Sequence, residues 1–586
     1  MNVSRLALRA LNEYRRVSPF TYLSLRYTLL STAAQSDRWA KELAPEILFR
    51  RDGPAYLPCR QYKQITERGG FEYRNLHFPC ANEALAEAAL LAHCAESGGP
   101  FAPTADVFSY HLAPATSGEG SFKAYFKLFS ARQDAIGKAC HQRPNDIVLY
   151  ADIKSFYPSV SHGRAKAAWL DACRKGRIEA DWQMLGMRLM EEQRAVLKAE
   201  KQKPVRKGLL VGPMFSHVLG SLVLLKFDQK MRSKYPERYF RYVDDIALVI
   251  PKKEKDAALS FIRDRLKEIG LKLNKKKTCH LEAQEWKAAA PHQALDYDGE
   301  IHRTDDEGWM KFIDLLKCFL MANPRHASGL ARTLRDAEIR ISIPHYTTSV
   351  QDAGYVERFS RRRHSKAFQQ KVAGASIQSI VNEAKTLGIL YRREFNQAWQ
   401  EFKKVDSMKR KWLLSRIRYV LGRLILVAPE NELGVLAKEL EGHKDLSEYE
   451  AIFKALVTRD VSQLLRFSGK VNAGAGQALA TTQRPVKCFL KRWSRETIEG
   501  YITLLLLGVN LEAEPPNTVQ RQSQVRFTNG VHEKHEWLKA SNGFLQELLA
   551  LSGESSLQRH RSIFQEPVDP DERWVLFADE LRGVSS

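Results

Sequence analysis

Acidic residues set into apolar, strand-forming segments constrain this sequence more than any other feature. The segment IVLYADI predicts a strand over residues 147–153 with Asp152 at its end. Further along, residues 239–250 predict two strands of a hairpin with Asp244 and Asp245 at its tip. Two adjacent aspartates in a hairpin are often only a polar turn. Here the flanking segments are apolar on both sides, and burying carboxylates there is costly unless a cation offsets their charge.

The order of these acids points to a metal site. Transfer of a phosphoryl group from a nucleotide uses two divalent cations about 4 Å apart, and Mg²⁺ prefers carboxylate oxygens. Here an acid at the end of a strand is followed by a long helix and then by a hairpin with two acids at its tip. This order can place carboxylates from neighbouring strands close together. We therefore expect Asp152, Asp244 and Asp245 to hold divalent cations.

The segment between the acids predicts a loop followed by a helix. Gly208, Gly212 and Pro213 form the loop, and the helix begins near Met214. Gly212 would let the backbone approach a nucleotide closely, although a plain loop before a core helix explains the same letters. This region includes the longest apolar stretch, LLVGPMFSHVLGSLVLL, which is better explained as part of a catalytic domain than as a membrane span.

A lysine run follows the hairpin in the segment IGLKLNKKKTCHL. Gly270 ends a helix, an extended piece begins at Leu271, and residues 275–277 are lysines. Most lysine runs are solvated surface. A lysine close to a pyrophosphate leaving group could instead donate a proton to it.

Length and composition limit the number of domains and the kinds of partner that we expect. The chain has 586 residues, which predicts two or three domains. Its net charge of +23 favours polyanions, nucleic acid above all, although a basic protein can also bind a membrane surface or nothing specific. The eight cysteines form no C-x-x-C pair, so no zinc framework is expected, and their scatter is typical of reduced thiols. We expect a cytoplasmic protein without a secretory signal or a membrane span.

Segments that predict β-strands are almost absent after residue 306, and this change divides the chain into two parts. We expect a helical lead over 1–44, an α+β region over 45–305, helical regions over 306–370 and 371–511, and a helical tail over 512–586 that opens with a polar linker, 512–524. Helical stripes are clearest at Leu413, Ile417, Leu421 and Leu424. Further helices are expected around 432–441, 447–457, 461–467 and 497–508. A stack of antiparallel helices, or a helical-repeat solenoid, fits this half.

Taken in order, these segments resemble the reverse transcriptases over roughly residues 55–305. The resemblance implies an α+β right-hand polymerase fold of fingers, palm and thumb. In that family the palm strand acid and the first acid of the Y-x-D-D box bind two Mg²⁺ ions, with Mn²⁺ as a substitute. These positions match Asp152 and Asp244, with Asp245 beside them, and the carbonyl group of Ile153 is implied as a further ligand.

The same resemblance assigns nucleotide contacts. The aromatic residue that packs under the sugar and rejects a 2′-hydroxyl matches Tyr157, which implies deoxynucleotides as substrates. The glycine of the nucleotide loop matches Gly212, and the family's serine matches Ser216.

Four further positions follow from the family's other sequence blocks. Arg74 matches the fingers arginine that grips the triphosphate, a task that suits its planar fork. Lys277 matches the lysine of the late G-L-x-L-N-x-x-K-T block, and Tyr297 and Gly299 match the primer grip.

Two departures leave an alternative open. Val211 stands where the family has glutamine, and His217 where it has proline, so contacts of this loop with template or nucleotide are in doubt. A nucleic-acid-binding scaffold with a decayed polymerase site is the alternative that these residues motivate.

A polymerase with a large helical C-terminal half looks most like the bacterial abortive-infection and defence-associated reverse transcriptases. That resemblance implies HEAT-like repeats and a role against phage. It also implies either protein-primed, untemplated DNA synthesis with a covalent protein–DNA link or copying of a partner non-coding RNA. Such helical halves often assemble, which implies a homo-oligomer or a partner protein.

The helical half carries basic segments with interleaved aromatics. Arg361, Arg362 and Arg363 lie beside Phe359 and His364, and residues 391–411 continue the pattern. Cations that follow phosphates and rings that stack on bases suit a single strand. A solvated helical surface with core aromatics explains the same pattern.

The segment RFTNGVH resembles the R-x-x-x-x-x-H motif of HEPN ribonucleases. Arg526 would then bind the scissile phosphate and His532 would act as acid–base. The spacing is common by chance, and Gly530 weakens a helix there. A polymerase coupled to such a ribonuclease is therefore a third reading.

Overall fold

The computed structural model describes most of the chain between residues 55 and 512. The described ranges are 55–79, 81–102, 104–114, 120–123, 125–202, 204–286, 307–344, 346–347, 366–405 and 408–512, with Leu6, Arg9, Ala10, Glu13 and Tyr14 before them.

The strands before residue 287 form two antiparallel sheets. The first is a hairpin of β1 (Tyr56–Ile65) and β2 (Phe71–Pro79). The second contains β3 (Asp146–Asp152), β4 (Tyr239–Tyr242), β5 (Asp245–Pro251) and β6 (Cys279–Glu282), in the order β4-β5-β3-β6. The strands predicted around the acids are confirmed, except that Asp245 lies in β5 rather than in the turn.

Helices fill the chain between these strands. They are α1 (Ala81–Ser97), α2 (Tyr125–Gln142), α3 (Phe156–Ser159), α4 (His162–Gly176), α5 (Ala180–Lys201), α6 (Met214–Lys234) and α7 (Lys255–Glu268). The predicted start of α6 at Met214 is confirmed, and Pro213 directly precedes it. Gly270 follows α7 with φ of +73°, a conformation that glycine adopts without strain.

The four-stranded sheet is buried on both faces, which explains the nearly continuous apolar run of β3. Successive residues of a strand point to opposite faces. Ile147 and Leu149 join the main core, which includes α6. Val148 instead packs in a second cluster with Ile136 of α2 and with Trp286. Because both faces are covered, the end of the sheet near Asp152 is where polar side chains can gather.

The described chain after residue 306 is largely helical, as predicted. Its helices are α8 (Glu307–Ala322), α9 (Ala327–Asp336), α10 (Lys366–Gly374), α11 (Ile377–Phe402), α12 (Met408–Val427), α13 (Glu430–Leu440), α14 (Ser447–Thr458), α15 (Ser468–Thr481) and α16 (Arg495–Leu506). A short parallel pair, β7 (Val486–Lys487) and β8 (Leu511–Glu512), closes this part. None of the described helices is long and apolar enough to cross a membrane.

The apolar stripe predicted for the helical half lies in α12. Leu413, Ile417, Leu421 and Leu424 are all buried. The sequence did not predict α15, because its segment SGKVNAGAGQALAT is rich in glycine and lacks a stripe of large apolar residues. This helix is buried along most of its length, so small residues let neighbouring chain approach it.

The helical half packs directly on the β1–β2 hairpin. Phe467 lies 4.8 Å from Tyr62 and 5.0 Å from Phe71 between ring centroids. The Tyr73 hydroxyl donates to the carbonyl oxygen of Arg466 at 2.7 Å. The predicted polar linker lies outside the described residues beyond residue 512, so its role as a boundary stays a prediction.

Candidate active site

Asp152 and Asp245 face each other across two neighbouring strands. The β3–β5 register places their Cα atoms opposite each other. The amide of Ile153 donates to the carbonyl oxygen of Asp244 at 3.1 Å, which makes Asp152–Asp245 a non-hydrogen-bonded pair. Side chains of such a pair lie closest together in an antiparallel sheet. The two carboxylates therefore emerge side by side on one face of the sheet.

Asp244 occupies the turn that joins β4 to β5, and we call this unit the acidic hairpin (residues 239–251). Tyr242 pairs with Asp245, so the connection is the two residues Val243 and Asp244. Val243 has φ of +52°, which is uncommon for a β-branched residue and strains the backbone. Surrounding contacts must hold this turn in place.

A buried ion pair supplies those contacts. The Arg241 guanidinium donates to both oxygens of Asp228 at 2.7 Å, and its remaining terminal nitrogen donates to the carbonyl oxygen of Val243 at 2.7 Å. The Tyr239 hydroxyl also donates to Asp228, at 2.6 Å. The amide of Val243 donates to Ser109 Oγ at 2.8 Å. Sequence reasoning missed this network, although Arg241 is a cation inside an apolar strand, which is a signal of a buried partner.

Like charges crowd the end of the sheet. Burial, followed by the charges of Asp245 and Asp152, raises the pKa of Asp244 to about 7. On the other side of Asp152, Asn274 Nδ2 donates to Oδ1 at 2.7 Å and Lys277 Nζ donates to Oδ2 at 3.0 Å. Burial lowers the pKa of Lys277, but the hydrogen bond and charge of Asp152 outweigh it, so the pKa is raised. Lys277 thus stays a cation beside the acids.

The donor set fits divalent cations. Mg²⁺ prefers hard oxygen ligands, and a cation would offset the burial and the like charges that raise the pKa of Asp244. Within the described ranges, no three acidic, histidine or cysteine side chains already converge into a metal-binding group. Both carboxylate oxygens of Asp152 instead accept hydrogen bonds, one from Asn274 and one from Lys277. One of these bonds would have to break for Asp152 to bind a metal. Asn274 was not predicted from the sequence.

Tyr157 lies in the short helix α3, which follows Asp152 closely along the chain. Its ring is buried, and its hydroxyl lies 2.6 Å from Nδ1 of His217 on α6. Asp244 is among the charges that raise the pKa of the Tyr157 hydroxyl, after burial and Tyr110. The structure therefore brings Tyr157 into the electrostatic reach of the acidic hairpin, and places His217 behind it.

The loop before α6 packs on strand β2. Gly212 has φ of +119°, and a Cβ there would lie 2.4 Å from the carbonyl oxygen of His77. The amide of His77 donates to the carbonyl oxygen of Val211 at 2.7 Å. Glycine is thus required at 212 by contact with β2, and its contact with a nucleotide stays a prediction. Ser216 is fully buried, and its hydroxyl donates to Gln193 Oε1 at 3.0 Å, inside the protein.

Arg74 lies on β2, partly exposed, opposite Gln61 in the hairpin register. Residues alternate between faces of a strand, so Arg74 points away from Tyr73, which contacts the helical half. Its predicted role on the triphosphate stays a prediction. Four other groups of predicted sites lie outside the described residues: Tyr297 and Gly299, Arg361 to Arg363, Arg526, and His532.

The aromatics of α11 belong to the core. Tyr391, Phe395 and Trp399 are buried, and Arg392 pairs with Glu432 and Glu439. These rings are closed to bases, so the reading of residues 391–399 as a stacking surface is wrong and the core-aromatic alternative holds there.

A comparison with known protein families identifies the part of the chain that contains the acids. Residues 122–288, which include all three acids and Lys277, match the family model described as reverse transcriptase (RNA-dependent DNA polymerase). These residues form a reverse transcriptase domain. The domain indicates RNA-directed DNA polymerase activity, and with it a nucleic-acid partner.

Two further comparisons add little to the domain match. No curated protein matched the chain significantly. Among solved structures, telomerase from Candida albicans in complex with the TWJ fragment of telomeric RNA matches over 68% of this chain and 69% of that chain, with 11% identity and a TM-score of 0.28. A score that low is too weak to support a comparison of folds.

Proposed function

We propose that the reverse transcriptase domain extends a primer with deoxynucleotides by two-metal phosphoryl transfer at Asp152, Asp244 and Asp245. One observation carries this proposal: Asp152 and Asp245 form a cross-strand pair beside Asp244, whose pKa burial and like charge raise to about 7. A sheet that gathers three acids at one end without a cation is costly. Mg²⁺, or Mn²⁺ in its place, would offset that charge, held by these carboxylates and the carbonyl group of Ile153.

The cations, when bound, would polarise the phosphate oxygens and ease deprotonation of the attacking primer hydroxyl. The chain's own residues prepare the rest. Lys277 Nζ lies 3.0 Å from Asp152, and its pKa is raised. It is therefore a protonated group that can donate a proton to the pyrophosphate leaving group. Arg74 would bind the triphosphate with its planar fork. Tyr157 would pack under the sugar and exclude a 2′-hydroxyl, which selects deoxynucleotides.

The proposal extends to the architecture and its biological role. The β1–β2 hairpin would be part of the fingers, the four-stranded sheet the palm, and the helices after residue 306 a thumb-like region followed by HEAT-like repeats. A reverse transcriptase domain in a chain whose β1–β2 hairpin packs against a large helical half suits the abortive-infection and defence enzymes. The enzyme would then act against phage in the cytoplasm, either copying a partner non-coding RNA or building DNA on a protein primer, as a homo-oligomer or with a partner protein.

The packing around the atypical loop disfavours a scaffold with a decayed site. The imidazole of His217 lies 2.6 Å from the Tyr157 hydroxyl, so this departure is built into an ordered contact. Val211 accepts a 2.7 Å hydrogen bond from β2 through its backbone carbonyl group, which any residue there could do. A decayed site would have no reason to keep three crowded acids. The ribonuclease reading rests on residues outside the described ranges and gains no support.

Primer extension by the purified full-length chain tests this proposal. The protein is incubated with Mg²⁺ and deoxynucleotides on an RNA template, on a DNA template and without template, and products are run before and after protease. We expect DNA synthesis that stops on chelation, and protease-sensitive mobility would show a covalent protein–DNA link. No synthesis under any of these conditions would reject the polymerase. Plaque counts on cells that express wild-type or Asp244→Ala protein test the role in defence.

A further inference from the structure

His217 stands where the related enzymes have proline, and the structure gives it a specific neighbourhood. The residue is buried on α6. Its Nδ1 lies 2.6 Å from the Tyr157 hydroxyl. Its ring stacks on Tyr110 with centroids 3.9 Å apart and planes 7° apart. His217 is therefore held between two tyrosines, one of which is the residue proposed to exclude the 2′-hydroxyl.

The protonation states of this pair define the direction of the hydrogen bond. Burial lowers the pKa of His217 to about 3, so the ring is neutral at pH 7. Burial, with the charge of Tyr110 next, raises the pKa of Tyr157 well above its usual value, so the phenol keeps its proton. A neutral imidazole has one donor and one acceptor nitrogen. The simplest assignment is that Tyr157 donates to Nδ1 while Nε2 carries the ring proton.

The ring of Tyr157 also packs on α6. Ser155, which precedes α3, has φ of +47°, so α3 starts with a sharp bend. A Cβ at Gly220 of α6 would lie 3.0 Å from Phe156 and 3.4 Å from Tyr157, so the aromatic pair packs directly on the helix backbone. The phenol thus packs on α6 through its ring, and its hydroxyl has His217 and Tyr110 as hydrogen-bond partners.

We infer that His217, backed by Tyr110, is a positioning residue that determines the choice of sugar at this active site. An excluding side chain works only if it cannot move aside, because a mobile ring would let a 2′-hydroxyl in. The hydrogen bond to His217 removes that freedom from Tyr157. A histidine here thereby performs a task that proline, which has no hydrogen-bonding side chain, cannot perform. This inference rests on the proposed function, and it concerns selectivity rather than the chemical step.

The test compares kcat/KM for a deoxynucleotide and for the matching ribonucleotide on one primer–template. The variants are His217→Ala, His217→Asn, Tyr157→Phe and the double variant His217→Ala/Tyr157→Phe. His93→Ala is the matched control, because His93 on α1 also stacks on an aromatic ring, Trp182, at 4.8 Å and is not among the proposed site residues.

Loss of one buried hydrogen bond predicts a fall in discrimination of about five- to tenfold for His217→Ala. Tyr157→Phe also loses the hydrogen bond with Tyr110, so its discrimination should fall at least as far. The double variant should fall no further than Tyr157→Phe, because the bond to His217 is already lost there. Asparagine places an acceptor oxygen near the position of Nδ1, so His217→Asn should restore most of the discrimination. His93→Ala should match the wild type.

Unchanged discrimination in His217→Ala, with wild-type synthesis intact, would overturn the inference and leave the polymerase standing. Absence of synthesis by the wild type would instead reject the proposed function itself. Should His217→Ala fail to fold, Tyr157→Phe still decides, because it keeps the ring packing. Nitrogen-15 spectra of histidine in the wild-type protein give a second readout: a neutral ring with its proton on Nε2 between pH 6 and 8 is expected, and a proton on Nδ1 or a charged ring contradicts the inference.

Discussion

Arg241 holds the residue next to Asp244, through a 2.7 Å hydrogen bond from its guanidinium to the carbonyl oxygen of Val243. The same guanidinium grips Asp228 with two hydrogen bonds of 2.7 Å, and both side chains are buried. The strained turn of the acidic hairpin is therefore tied to helix α6 by a cation that reaches from strand to helix. The position of the turn therefore depends on one buried ion pair.

Removing Arg241 should cost both stability and activity. Arg241→Met leaves Asp228 buried without its cation, which typically costs about 3–5 kcal/mol of unfolding free energy. The double variant Asp228→Asn/Arg241→Met removes the stranded charge and keeps an acceptor for Tyr239, so most of that stability should return. Its synthesis should stay low, because the contact with Val243 is still lost. Urea unfolding and nucleotide incorporation measure the two effects, and full recovery of activity in the double variant would contradict a positioning role.

Gly212→Ala should be far more damaging than alanine at another glycine of positive φ. At Gly212 a Cβ would lie 2.4 Å from the carbonyl oxygen of His77, whereas at Gly442, with φ of +79°, it would meet nothing within 4 Å. Gly442→Ala should cost about 1 kcal/mol from backbone strain. Gly212→Ala should cost about 3 kcal/mol or more, because strain and overlap add. Equal unfolding free energies for the two variants would contradict the packing of this loop on β2.

Ionisation of Glu87 should lower the free energy of unfolding as the pH rises. Its carboxyl is buried and accepts hydrogen bonds from Tyr56 at 2.8 Å and Tyr14 at 3.0 Å. Burial raises its pKa to about 7 despite these bonds. An acid with a raised pKa binds its proton more tightly when folded, so its contribution is greatest at low pH and declines as pH rises from about 4.5 through 7.

The measurement is the unfolding free energy of the wild type relative to Glu87→Gln. Between pH 5.5 and 8.5 the wild type should lose on the order of 2 kcal/mol against the variant. Curves that stay parallel over this range would show that Glu87 titrates normally.

Phe467 should couple the helical half to the β1–β2 hairpin. Phe467 is buried against Tyr62 and Phe71, while Phe489 in the same half is 69% exposed. Phe467→Ala should cost about 3–5 kcal/mol and speed amide exchange in β1 and β2. Phe489→Ala is the matched control and should change stability by less than about 0.5 kcal/mol. Unaltered exchange in the hairpin of the Phe467 variant would show that the two parts are not coupled.

The sequence was sufficient to predict the strands and the placement of the acids at the end of the sheet, because both rest on local signals, whereas the role of the acids stays a prediction. The apolar segments around Asp152 and Asp244 argue against a simple polar turn. The order of the sequence blocks adds Lys277 to the predicted site. The sequence was not sufficient for Asn274 or Arg241, since their partners lie 122 and 13 residues away along the chain. The departure at His217 looked like a defect in the sequence, and its contacts with Tyr157 and Tyr110 became visible only in the structure.

The most direct test of the central claim is metal-dependent nucleotide incorporation by charge-neutral variants of the acids. Asp152→Asn, Asp244→Asn and Asp245→Asn are compared with Asp171→Asn, a surface control whose carboxylate pairs with Arg174 and Lys175 at 2.6 Å. We predict that Asp152→Asn and Asp244→Asn lower incorporation by at least about a hundredfold, that Asp245→Asn lowers it to a lesser degree, and that Asp171→Asn does not. Wild-type rates in Asp152→Asn or Asp244→Asn would contradict the account.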